Sequence, residues 1–219
     1  MNKTKKSEMF FALDYLNKPS ELSDFVEQLF LLHEDGFERF NDIKDFSDFL
    51  KWQIEEIGNW FFDKGIYETS AMAYKELVLN ADEETSERIS ERIFKDAKRS
   101  RNESIVDVLE LICAFHQLPK AYASLSIISN CKGDFVNGLE YAKRALAVSN
   151  NEDIYNIVLG DCYFCRSDYK MAIDYYKKAL LSKTTTKEMA NYSDNMIKKA
   201  CGLLDEIKNE GVKIGKRKV

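Results

Sequence analysis

The chain has only two prolines and nine glycines in 219 residues. It therefore offers few points at which a helix must break, and this scarcity suits one continuous helical domain with no linker. Long hydrophobic runs are missing too. Met1 to Lys6 is basic, but the apolar run from Met9 to Leu13 is broken by Asp14, too short for a signal-peptide core. No stretch approaches the roughly 18 apolar residues that a spanning helix needs. A soluble, cytoplasmic protein with no membrane contact is expected.

The two histidines, His33 and His116, stand far apart, and each closes a helical pattern, where imidazolium would face the negative end of a helix dipole. No glycine-rich phosphate loop, H-E-x-x-H or G-x-S-x-G motif occurs, so no catalytic residue and no cofactor is expected, and the chain is read as non-enzymatic. Five cysteines, an odd number, fall mostly inside helical patterns, which suits reduced thiols rather than a disulfide framework. Cys162 and Cys165 form a lone C-x-x-C. A structural zinc site would require two further ligands at suitable spacing, so packing is the reading taken and no metal is expected.

What the chain does have is a repeat. The segment from Gly133 to Leu146 and the segment from Ser167 to Leu180 carry the same order of residues at an offset of 34, and Gly65 to Val78 repeats it at twice that offset upstream. Small residues recur at Gly58, Ser126 and Gly160 in the preceding helical pattern, and at Ser70, Gly138 and Ala172 in the following one. Two antiparallel helices approach to about 8 Å only where neither carries bulk at the crossing. Ile57, Leu125 and Leu159 precede the first set of slots, and Leu77, Ala145 and Ala179 follow the second. Aromatic residues fill the wider gaps: Phe61, Tyr163, Tyr67, Phe135, Tyr169, Tyr74 and Tyr176. Such a period reads as stacked helical hairpins.

These positions resemble the tetratricopeptide repeat family, most closely in Asn156 to Tyr163 with Ala172, Tyr176 and Ala179. The resemblance implies an all-α fold, an α-solenoid of stacked antiparallel helix pairs wound as a right-handed superhelix, with amino- and carboxy-terminal capping helices. The expected organisation is a helical cap over 1–44, a repeat array over 45–186 and a capping helix with a basic tail over 187–219. Within the array the copies are 51–84, 85–118, 119–152 and 153–186. The second copy is worn, because Arg92 occupies the small slot, and its hairpin, with helices expected over Glu83 to Arg99 and Glu103 to Gln117, should be more open or shifted in register. Ser20 is a plausible N-cap for a helix over Glu21 to Glu34. Lys187 to Glu210 reads as an amphipathic helix with Met189, Tyr192, Met196, Ile197, Ala200, Leu203, Leu204 and Ile207 on its buried side, followed by a frayed tail at Gly211 and Gly215.

Charge is unevenly placed. Pro19 to Asp63 carries twelve acidic residues against three basic ones, whereas Arg88, Arg92, Lys95 and Arg99 lie at helical spacing on one face. That basic stripe admits a regulator that contacts nucleic acid, but flanking Glu87, Glu91 and Asp96 favour a solvated face, so nucleic acid is the disfavoured partner.

The resemblance implies a concave groove, lined by first helices, that takes a peptide or amphipathic segment of a protein partner. Its expected residues are Trp52, Glu55, Asn59 and Phe62, then Ile89 and Ile93, then Lys120, Ala123, Ile127 and Asn130, then Ile154, Ile157, Asp161 and Phe164. Of the clamp that holds acidic chaperone tails in the family, only Asn59 matches, so an apolar or amphipathic ligand is expected instead. The function so read is a protein-binding adaptor or chaperone. A secretion chaperone built on the same repeats is an alternative, since Ile57 to Asn80 is broadly similar to its first repeat. Association with a second copy stays open.

Overall fold

A computed structural model describes residues 43–80, 82–149, 152–182 and 185–216. The expected amino-terminal cap, with Ser20, the helix over Glu21 to Glu34 and His33, lies outside them. Among the described residues the regular elements are all α-helices: α1 (Ile43–Asp63), α2 (Tyr67–Asn80), α3 (Glu83–Lys95), α4 (Glu103–Phe115), α5 (Pro119–Cys131), α6 (Phe135–Val148), α7 (Glu152–Cys165), α8 (Tyr169–Leu181) and α9 (Lys187–Lys216). None of these helices is long and apolar enough to cross a membrane. The chain divides into two compact units, Met1–Ile89 with Asn102–Leu111 and Ser90–Arg101 with Ile112–Val219.

In the first unit α1 packs on α2. In the second, α5 packs on α6, α6 and α5 on α7, α7 on α8, and α9 on α8 and α7. The turns between paired helices are copies of one another. The Gly65 N–H donates to the Phe62 carbonyl at 3.0 Å and that of Ile66 to Phe61 at 2.9 Å; Gly133 and Asp134 repeat this on Asn130 and Ser129, and Ser167 and Asp168 on Phe164 and Tyr163. This double closure is the Schellman ending, which needs a left-handed residue. Gly65 and Gly133 supply it at φ 74° and 84°, while Ser167 adopts it at 61° despite its Cβ. Asp134 and Asp168 then cap the next helices by accepting from the Asn137 and Met171 N–H groups.

The small slots work as sterics requires. A Cβ at Gly58 would stand 2.7 Å from Tyr74 Cε1, and one at Gly160 would stand 2.6 Å from the same atom of Tyr176. Each tyrosine is fully buried against its glycine. The Gly58 carbonyl accepts from Ser70 Oγ at 2.9 Å, and the equivalent carbonyl of Ser126 lies 3.3 Å from where a Gly138 Cβ would be. Phe62 meets Tyr67 edge-on at 5.4 Å, and Phe164 meets Tyr169 likewise at 5.3 Å. Two hairpins separated by three repeat lengths thus share the same internal packing.

The worn copy departs from this. α3 stops at Lys95 rather than Arg99, the Ser100 N–H turns back to Asp96 rather than Lys95, and α4 starts at Glu103. α4 buries Ile105, Val108, Leu109, Ile112 and Cys113. Transposed from α2, positions 105, 108 and 112 keep their place in the buried face, but 104, 107 and 111 leave it and 109 and 113 enter, so the buried face is shifted around the helix axis.

α9 corrects two expectations. It runs to Lys216 through Gly211 and Gly215 instead of fraying. On its expected buried side only Ala200 is fully buried; Met189, Met196, Ile197, Leu203 and Leu204 are half-buried, and Tyr192 at 37% and Ile207 at 56% are exposed. Length accounts for the exposure at Ile207: at about 1.5 Å per residue, the 30 residues of α9 reach about 45 Å, whereas the 13 of α8 reach about 20 Å.

Candidate functional site

The expected groove residues divide between the two units. In the first, Trp52 and Glu55 join Lys51, Glu56, Asp82, Thr85 and Arg88 around a cavity of about 430 Å³. Its charges are engaged. Arg88 grips the Glu55 carboxylate through Nε and Nη2 at 3.0 and 2.8 Å and reaches Glu84 at 3.2 Å, and Glu55 raises the Arg88 guanidinium pKa. Asp82 accepts from the Thr85 N–H at 3.0 Å, which holds its carboxyl below the usual range. Asn59 accepts from Tyr74 Oη at 2.9 Å. Phe62 and Ile89 are buried.

In the second unit Ile93, Ala123 and Ile157 are buried. Ile157 is 7% exposed and forms a core cluster with Ala172, Tyr176 and Ala179. Lys120 bridges to Glu91 at 3.2 Å, and Ile154 is half-buried. The remaining four, Ile127, Asn130, Asp161 and Phe164, converge. With Lys98, Cys131, Cys165, Tyr192 and Met196 they line one cavity of about 190 Å³.

Helical spacing explains the convergence. Ile127, Asn130 and Cys131 lie within four residues on α5, and Asp161, Phe164 and Cys165 are their equivalents on α7, 34 positions later. Residues three and four apart share a helix face. Tyr192 and Met196 repeat that spacing on α9. Asp161 forms the polar floor: its Oδ1 accepts from Tyr176 Oη at 2.6 Å and from Tyr192 Oη at 2.8 Å, with Tyr192 also 3.0 Å from Oδ2. Burial pushes the Asp161 carboxyl up, against the opposing pull of the two hydroxyls and Lys98. Burial also raises both tyrosines, beside the Asp161 charge. Beneath the cavity, Cys162 Sγ lies 3.1 Å from Ser126 Oγ and accepts from Asn130 Nδ2 at 2.9 Å. Burial pushes the Cys162 and Cys165 thiols up, away from the thiolate a nucleophile or metal ligand would need.

Sequence reasoning missed Lys98, Cys131 and Cys165 as cavity residues and placed Tyr192 and Met196 only on a packing face. The available signal was the 34-residue offset between Cys131 and Cys165. The basic stripe is locally compensated: Arg88 pairs with Glu55 and Glu84, Lys95 with Glu91, and Arg99 with Asp96. Among the described residues no cluster of histidine, cysteine, aspartate and glutamate is arranged to hold a metal ion. No protein-family model matches the chain, and no curated protein sequence matches it.

Proposed function

We propose that the chain is a helical-repeat adaptor of the tetratricopeptide type, a non-enzymatic solenoid that binds a peptide or amphipathic helix of a protein partner. The bound segment sets a side chain into the cavity formed by α5, α7 and α9. The observation that carries this reading is that four positions chosen by repeat register, Ile127, Asn130, Asp161 and Phe164, line one cavity of about 190 Å³. That volume lies below the roughly 300 to 1,000 Å³ of sites for drug-sized molecules, and it suits a single anchoring side chain. The paired charges of the basic stripe weigh against a nucleic-acid contact.

Because Ile157 belongs to the core, its substitution reports on folding rather than docking. The test uses Ile127→Glu and Met196→Glu, both half-buried at the cavity. Each variant is expected to keep wild-type helicity and to lose peptide binding measured by fluorescence anisotropy. Undiminished binding by both would move the site elsewhere.

A further inference from the structure

We infer that the cavity between α5, α7 and α9 selects a cationic side chain on an apolar stem, a lysine or arginine of the partner segment, with its charge set on Asp161. This rests on the peptide-binding reading above and names the chemistry that the site would choose.

The repeat supplies an internal comparison. Asn59 stands three repeat lengths upstream of Asp161, and Tyr74 stands the same distance upstream of Tyr176. Tyr74 Oη donates to Asn59 Oδ1 just as Tyr176 Oη donates to Asp161 Oδ1. A neutral amide therefore suffices to hold the buried tyrosine, whereas the carboxylate at position 161 also receives Tyr192 Oη from α9. Among the described residues no cation forms an ion pair with that carboxylate, whose close partners are two tyrosine hydroxyls. A carboxylate offers about four acceptor sites, and two hydroxyl protons leave about half of them open. Burial makes that carboxyl costly to ionise, Lys98 on the cavity lining offsets the cost only in part, and a ligand cation hydrogen-bonded to the carboxylate would relieve it further.

The walls fit such a ligand. Ile127, Phe164 and Met196 present apolar surface for a methylene stem, and aromatic faces attract cations, as Lys199 Nζ already shows at 5.3 Å from the Phe164 ring. Lys98 and Lys199 are exposed. Water screens them, while Asp161 in its apolar surroundings is screened far less. They oppose a second cation at the rim, so the anchor is one basic residue rather than a polybasic run.

The experiment titrates the full chain with three labelled, amidated amphipathic peptides of alanine, leucine and glutamate that differ only in a central lysine, norleucine or glutamate. Wild type should bind the lysine peptide at least about tenfold more tightly than the norleucine one, a margin in keeping with a charge-assisted hydrogen bond, and the glutamate peptide most weakly. In Asp161→Asn, which the Asn59 arrangement indicates will fold, that preference should vanish while norleucine binding persists. Equal binding of lysine and norleucine by wild type, or a lysine preference surviving Asp161→Asn, would overturn the cationic anchor and leave the peptide site standing. Failure of all three peptides to bind would overturn both.

Discussion

Adding one methyl group to a helix can raise or lower stability according to what stands in front of it, and this chain contains both cases. At Gly160 a Cβ would lie 2.6 and 2.7 Å from two ring atoms of Tyr176, whereas at Gly202 on α9 nothing lies within 4 Å. Alanine is favoured over glycine in a helix interior by about 1 kcal/mol. At Gly202 that gain should appear undiminished. At Gly160 the ring must move, and it is fully buried, so overpacking costs about 1 to 3 kcal/mol. Displacing the ring also strains the 2.6 Å hydrogen bond to Asp161, and a bond to a charged acceptor is worth about 1.5 to 3 kcal/mol. Set against the propensity gain, Gly160→Ala should destabilise by about 2 kcal/mol, lowering the melting midpoint by about 4 to 8 °C. Gly202→Ala should raise it. The assay is thermal and urea unfolding followed by far-ultraviolet ellipticity. Shifts of the same sign in the two variants would refute the claim that absence of a side chain at position 160 makes the slot for the tyrosine.

Ser167→Gly should stabilise by about 1 kcal/mol, because the residue sits at φ 61° in a region that penalises a Cβ by about 1 to 2 kcal/mol; an unchanged urea midpoint would count against strain there. Asp82→Ala removes the cap of α3 and should cost about 1 kcal/mol at neutral pH. Because the Asp82 carboxyl titrates below its ordinary value of 3.8 in the folded chain, the difference from wild type should hold above that value and fade as the pH falls through the lower folded one. A difference constant down to strongly acid pH would exclude the charged cap. Tyr192→Phe removes one donor to Asp161 but leaves Tyr176 in place, so α9 should stay helical while the carboxyl rises further; carboxyl titration by nuclear magnetic resonance would reveal an unchanged value if the hydroxyl did not matter.

The hairpins were legible because their cause is local. Gly58 and Gly160 recur at a fixed interval, and each meets a tyrosine that recurs at the same interval, so one pattern held both partners. The aspartate caps and the Schellman turns obey the same rule, with Ser167 showing that the turn geometry outlasts the glycine that favours it. Legibility failed where a role depends on a neighbouring helix. Phe62, Ile89, Ile93 and Ala123 occupy groove positions in the register, yet each is buried, because register gives a direction around one helix and says nothing of what packs against it. Ile127, Asn130, Asp161 and Phe164 share a cavity because α9 closes over them with Tyr192 and Met196, and no period in the sequence announces that. The worn copy was flagged by Arg92, but the shift of the buried face of α4 could not be read from one displaced side chain.

Both tryptophans of the chain, Trp52 and Trp60, belong to α1, and α1 lies in the first compact unit. Indole emission is therefore a private reporter of that unit, while the peptide signal sums over every helix. Overlaying the two melting curves separates a chain that loses order in one event from one that yields in stages, and it does so without an added dye or an introduced label.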